Sequence, residues 1–406
     1  MTALPETGQT RPGITAVVVM FFAGLAAIAG GLPIPPFVAL GGLIALPWAQ
    51  ILRLRKDPPW EALLAALFVG WAALSWTWSP YDRPDQAIKL VVGMPLYAAF
   101  AFAIANLQGK WRARAEAMFV FMAFMASIYL FAEFVNQGEA TLAYKILVEG
   151  SPAGTLHTTN EVNRSLGHGA LLAILFAGPA AALAWREGGP LIGLLLIAIT
   201  GMMSLGFGLE VNTVAFIAAL AAAALAYSWP RGALSAIFGG IAGSFIVVPL
   251  TLPSVAAALP EGIRSRLPES WEIRLEIWRF SGDLLSERPW TGWGLDAGRV
   301  IEGEAEIRGT VQQLLPLHPH NAPLQVWMET GAFGAILIAF ALVMMGGRIA
   351  GAPLLSRLQA AAIAWVAMAY FCFIFFSYGI WQEWHAAALA LAIAGTAFLS
   401  ARPKTP

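Results

Sequence analysis

The residues of this chain best suited to chemistry lie in His318-Pro-His-Asn321, directly ahead of an apolar run. Asn321 suits the N-cap of a helix and Pro323 its first turn. His320 then stands just before a helix start, where unpaired N–H groups and the positive dipole end favour a bound anion and keep an imidazole neutral. A neutral imidazole is a competent base. The other reading of His320 is a solvated or hydrogen-bonded surface histidine. Upstream, Ser270-Trp-Glu-Ile-Arg-Leu-Glu-Ile-Trp-Arg-Phe280 sets Trp271, Leu275, Trp278 and Leu285 on one helical face, with Arg274, Glu276, Arg279 and Asp283 around the others. The pattern predicts an amphipathic helix at a membrane interface, begun by Ser270 as N-cap and ended by Pro289, Gly292 and Gly294. Such a helix could equally serve only to cover a bundle. His157, His168 and His318 have no i, i+4 partner, so the spacing makes no zinc site, and the single Cys372 sits in an apolar stretch as a small buried residue.

The elements that must position these residues are membrane spans. Of 406 residues 58% are hydrophobic and only 12% charged, against about 25% charged in soluble domains. The 24 basic and 24 acidic residues cancel, so no global field attracts nucleic acid, and any anion site must be local. Twelve stretches reach the length a bilayer requires: 14–32, 36–52, 60–78, 88–106, 116–135, 168–185, 189–207, 211–228, 233–252, 322–346, 357–377 and 382–399. Glu6 and Arg11 make the leader of the first run poor signal-peptide chemistry, so it is read as a retained span. The seventh and eighth spans part at the polar Gly208-Leu209-Glu210. With the N-terminus inside, Arg11, Arg53, Arg55, Lys56, Lys110, Arg112, Arg114, Arg186, Arg231, Arg348, Arg357, Arg402 and Lys404 fall in cytoplasmic segments. The short outer loops hold Arg83 and Lys89. Both termini are predicted cytoplasmic, and the two longest connections, 136–167 and 253–321, lie outside. The chain reads as one polytopic all-α membrane domain, residues 1–406, with loop 253–321 as its outer elaboration and no internal repeat.

An Arg-containing amphipathic helix, Glu287-Arg-Pro-Trp-Thr-Gly-Trp-Gly294, a variable insert, His318-Pro-His-Asn321 and Leu324-Gln-Val-Trp-Met-Glu-Thr-Gly331 follow one another in this order. This arrangement resembles the O-antigen ligase and O-antigen polymerase superfamily, most of all the lipopolysaccharide O-antigen ligases. The resemblance implies a metal-independent glycosyltransferase of the bacterial inner membrane, without a cofactor. It would move glycan from undecaprenyl pyrophosphate to a lipid A-core hydroxyl on the periplasmic face. The family's essential histidine maps onto the His-Pro-His-Asn motif, with His320 chosen beside Asn321, and its loop arginine onto Arg274. His318 and Asn321 are carried as substrate contacts. A second basic residue that the family often places at the outer start of a middle span is missing from Gly208-Leu-Glu-Val-Asn-Thr213. Arg164, Arg279 or Arg288 could supply that pyrophosphate contact. Fixed guanidinium donors would stabilise the leaving group, and a base would activate the acceptor hydroxyl. Single in-line attack would invert the anomeric centre. Glu161 and Glu210 are read as caps or ion-pair partners at span ends, and Trp381-Gln-Glu-Trp-His385 as an interfacial belt or, alternatively, a surface for stacking acceptor sugar. A polymerase using the same donor is the nearest alternative and a transporter the alternative of another class, although the spans carry few mid-membrane charges.

Overall fold

The computed structural model describes residues 6–46, 59–206, 210–315 and 317–400. Every predicted span falls on a helix there. In chain order these are α1 (Glu6–Leu25), α2 (Ile34–Ala45), α3 (Trp60–Ser75) and α4 (Asp85–Ile88), which runs through a π turn at Lys89–Gly93 into α5 (Met94–Ala105). There follow α6 (Gly109–Val135), α7 (Glu139–Leu147), α8 (Leu156–Arg186), α9 (Pro190–Gly206), α10 (Glu210–Ser228) and α11 (Pro230–Ala258). The elaborated segment holds α12 (Glu261–Arg264), α13 (Glu269–Glu287) and the strands β1 (Glu304–Ile307) and β2 (Thr310–Gln313). Closing the described chain are α14 (Ala322–Ala350), α15 (Arg357–Phe376) and α16 (Glu383–Ala397). The end of the second predicted span, Arg53, Arg55, Lys56, Gly208, Leu209, Arg402 and Lys404 lie outside the described residues.

Eight of these helical stretches are long and apolar enough to cross a bilayer: Trp60–Trp78, Asp85–Ala105, Gly109–Val135, Leu156–Arg186, Glu210–Ser228, Pro230–Ala258, Ala322–Ala350 and Arg357–Phe376. The other four predicted spans fall on helices of 20, 12, 17 and 15 residues. Large apolar side chains such as Leu40, Leu43, Leu194, Leu250 and Phe340 face outward and exposed. Buried polar groups such as Gln325 and Glu329 are hydrogen-bonded inside. That distribution fits hydrocarbon as solvent, and the chain is an all-α membrane protein. At the centre, α8 is buried without a break from Ser165 to Ala177 and packs on α6, α9, α15 and α16. On the flank, α14 packs between α11 and α3, and α13 lies on α11.

Four details depart from the sequence reading. Thr155 caps α8 through its hydroxyl, which accepts from Thr158 N, so Arg164 lies inside a helix rather than in a loop before one. The segment between the fifth and sixth spans is itself largely helical. At α13 the start is set by Pro268, held extended at φ −55°, ψ 145°, with its carbonyl accepting from Trp271 N and Glu272 N; Ser270 is within the helix, not its N-cap. And the insert before the histidine motif forms an antiparallel hairpin, Glu304 opposite Gln313 and Ile307 opposite Thr310. Its two-residue turn, Arg308-Gly309, has φ of 52° and 80°, the left-handed pair that a tight hairpin demands.

Candidate functional site

The site is built on a break in α14. Gly331 has φ 65° and ψ −170°, a region essentially restricted to glycine, and it interrupts the helical ladder. The carbonyls freed there are those of Met328, Glu329 and Thr330, which accept from Trp293 N (2.7 Å), Gly294 N (2.9 Å) and Trp71 Nε1 (2.9 Å). Beyond the break, Ala332 N and Phe333 N donate to the carbonyls of Pro289 (2.9 Å) and Trp290 (3.4 Å). Residues 289–294 thus dock directly on the broken turn. The fit leaves no room for a methyl group, since a Cβ on Gly331 would stand 2.2 Å from the Trp290 carbonyl carbon and one on Gly292 2.5 Å from that of Glu329. The two glycine-bearing sequence motifs, distant in the chain, form one structural unit.

The first part of α14 is held just as firmly. Glu329 is fully buried, and its carboxylate accepts from Asp296 N (3.0 Å), Gln325 Nε2 (3.0 Å) and Trp381 Nε1 (2.5 Å). Gln325 Oε1 in turn accepts from Ile380 N at 2.9 Å. Trp381 is therefore an interior hydrogen-bond donor, and Trp384 is buried against His168 with ring centroids 4.1 Å apart. Neither indole belongs to an exposed belt or a sugar-stacking surface.

At the head of α14, Asn321 caps as expected: Oδ1 accepts from Leu324 N (3.0 Å), and Nδ2 donates to the Phe375 carbonyl (3.2 Å). Both ends of this buried amide are occupied. His320 takes a left-handed φ of 52°, which histidine tolerates better than most side chains. Its backbone N–H donates to His318 Nδ1 at 3.1 Å, and Pro319 O accepts from Trp278 Nε1 of α13 at 3.1 Å. His320 Nδ1 lies 2.7 Å from the Ser377 carbonyl, which can only accept; Nδ1 therefore carries the hydrogen and Nε2 the lone pair. Burial lowers the pKa of His320 below 6.5, the Arg274 charge lowers it further, and the Ser377 bond opposes both. His318 is more deeply buried, against Gly379, with its ring centroid 4.5 Å from that of His320. Burial first, then the charges of His320, Arg299 and His385, lower its pKa to about 3. Both imidazoles are neutral near pH 7, and the two have different tasks: the lone pair of His318 Nδ1 holds the backbone of its neighbour.

A pocket of about 280 Å³ opens beside His320, lined also by Ser270, Ile273, Arg274 and Ile277 of α13 and by Gln312 and Gln313 of β2. Arg274 and His320, singled out separately in sequence, meet here. The guanidinium donates to the Ser270 carbonyl (3.2 Å) and lies over Trp271, 5.4 Å from the ring centroid. Its Nε is buried without a hydrogen-bond partner. Burial lowers the Arg274 pKa and Glu210 raises it; Glu210, at the start of α10, itself accepts from Trp271 Nε1. The remaining arginines stand elsewhere. Arg279 pairs with Glu276 at 2.8 Å, a carboxylate shared with Arg264; Arg164 pairs with Glu161; Arg288 stacks over Trp293 at 4.1 Å. None of these lines the pocket. The glutamines were missed in the sequence, where the alternating Glu304–Ile307 and Thr310–Gln313 around Arg-Gly were the only hairpin signal.

Residues 163–339, from within α8 into α14, match the family model described as O-antigen ligase. The chain is also 32% identical over 158 residues to a protein of Rickettsia conorii curated under the provisional name polysaccharide ligase, covering 36% of each chain. A Rickettsia prowazekii protein with the same kind of name is 28% identical over 208 residues, 48% of this chain and 47% of the relative. The similarity thus spans a third to a half of these curated relatives. The matched region takes in Arg274, His320 and the Gly331 break, so the part of the chain that builds the pocket is the part similar to the O-antigen ligase family.

Proposed function

We propose that the protein transfers glycan from undecaprenyl pyrophosphate to a sugar hydroxyl of lipid A-core, on the periplasmic face of the bacterial inner membrane and without a metal. The observation that carries this reading is the meeting of His320 and Arg274 in one pocket, an imidazole with a free lone pair and a guanidinium lining the same cavity. His320 Nε2 takes the proton of the acceptor hydroxyl as its oxygen attacks the anomeric carbon. The bond from that carbon to the pyrophosphate oxygen breaks on the opposite side, which inverts the centre. Charge developing on the departing pyrophosphate is met by Arg274, in a partly enclosed site where a fixed donor acts more strongly than in water. His318, through Nδ1 on His320 N, and Asn321, through the α14 cap, position the base in this reading.

The reading is tested with purified protein, an undecaprenyl-pyrophosphate glycan and rough lipopolysaccharide in the presence of a chelator. Glycan is expected on the lipopolysaccharide. Extension of the glycan on the polyprenyl carrier would instead make the protein a polymerase, and solute flux in proteoliposomes indifferent to His320→Ala would make it a carrier.

A further inference from the structure

The pocket contains more than a proton acceptor and a cation require. Gln312 and Gln313 of β2 also line it, and a carboxamide presents a donor and an acceptor side by side, matching neighbouring hydroxyls of a sugar ring, each of which also donates and accepts. A pyrophosphate, which only accepts, could use the NH2 but not the carbonyl, and an apolar polyprenyl chain has use for neither. Gln312 Nε2 makes a single bond, to Thr310 Oγ1 at 3.0 Å, and the Gln313 side chain makes none among the described residues. Ile273 and Ile277 give the pocket an apolar wall, as the C–H face of a pyranose requires.

The hairpin that brings these amides is fastened along α13 at both ends. At its base, Leu314 N donates to the Gly303 carbonyl (2.8 Å), and Gly303 lies so close to the Phe280 ring that a Cβ there would stand 2.6 Å from it. At its tip, Arg308 donates through Nε to Glu272 (2.8 Å) and through NH2 to the Leu267 carbonyl (2.7 Å). Phe280 and Glu272 flank the stretch of α13 that carries Arg274 and Ile277, so β2 is held alongside the reacting groups.

We infer that the β1–β2 hairpin is the sugar-reading element of the pocket: Gln312 and Gln313 hydrogen-bond glycan hydroxyls, and Arg308 positions them by clipping the hairpin tip to α13. This deepens the transferase reading and rests on it. Two glycans share the required chemistry, that of the donor and that of the acceptor core, and kinetics distinguishes them. With the full-length protein in detergent, initial rates are measured against each substrate in turn. The double variant Gln312→Ala, Gln313→Ala is expected to raise KM for one substrate ~10-fold while kcat stays within ~3-fold, the size expected for two lost hydrogen bonds outside the reacting bonds. The substrate whose KM moves is the one read. Arg308→Ala should reproduce the rise, and Arg308→Lys should recover part of it.

A second arm needs no turnover. Core oligosaccharide released from rough lipopolysaccharide, and donor glycan freed of its lipid, are titrated calorimetrically into wild-type and double-variant protein. Loss of binding of either one in the double variant supports the inference even if no transfer is seen and the transferase reading fails. Unchanged KM for both substrates together with unchanged binding, or no binding by the wild type, overturns it. A double variant whose kcat falls while both KM values hold overturns it as well, because that pattern belongs to a disturbed reaction centre.

Discussion

With Nδ1–H committed to the Ser377 carbonyl, His320 has one nitrogen left, and under our proposal that nitrogen must be unprotonated to act as the base. His320→Ala is therefore expected to leave the protein folded and to slow transfer by at least the ~10²-fold typical of a lost general base, measured as kcat on purified protein. His318→Ala should slow transfer less, because it removes the acceptor for one backbone N–H and not the base itself. Equal loss in both variants would point to a structural role for the pair. The sign of the pH dependence follows from the lowered pKa of His320: kcat/KM should hold level below pH 6.5 and fall only as pH drops through that lowered value. Because the Arg274 charge contributes to the lowering, the His320 imidazole of Arg274→Gln should titrate closer to 6.5 than in the wild type, read from its ring-proton NMR shifts rather than from turnover. Arg274→Ala should abolish measurable transfer, and Arg274→Lys should restore little, since an ammonium cannot reproduce the direction of a guanidinium donor. Near-normal kcat in the lysine variant would reduce Arg274 to a diffuse electrostatic role.

Among the elements, the broken helix α14 makes the sharpest demand on sequence. Gly331→Ala forces a side chain into backbone that favours glycine and into contact with the Trp290 carbonyl, so a loss of ~1–3 kcal/mol or more is expected, read as a lower Tm of the protein in detergent. A wild-type Tm would mean that the break can close into regular helix. The long apolar runs were legible because twenty apolar residues have few other fates, and the Asn321 cap because its chemistry is local. The break was not legible. Glycine is common within membrane helices, and nothing near Gly331 reveals that residues 289–294 will supply its missing partners. The hairpin escaped for a similar reason: four-residue strands in a polar insert carry too short an alternation, and what fastens them is a contact from Arg308 to Glu272 across the fold. The Ser270 assignment failed because a proline two residues earlier already fixed the backbone for helix entry. Arg164 was misplaced because α8 begins at Leu156, well before its apolar stretch.

For the whole molecule, two groups of long-range polar contacts stand apart. One group holds Ser79 with Leu295 O, Gln86 with Trp381 O, Lys89 with Glu383 and the pocket of His320; the other holds Arg112 and Arg186 on Glu116 and Phe398 O, and Arg348 on Glu61. Our proposal puts the first group in the periplasm. A cysteine at Glu304 should then react with a membrane-impermeant thiol reagent in cells with a permeabilised outer membrane, and one at Arg231 should not, with Cys372 buried and silent. The reverse pattern would invert the topology and remove the donor from reach. The repaired break in α14 also bears on biogenesis. A ribosome makes Trp71, Pro289, Trp290, Trp293 and Gly294 before it makes Met328 to Phe333, so every group that completes the interrupted turn precedes the turn itself. When α14 enters the bilayer its partners already exist, and exposed peptide groups need not linger in hydrocarbon, where each would cost several kcal/mol. In the order of translation, then, the partners of the break are made before the break they complete.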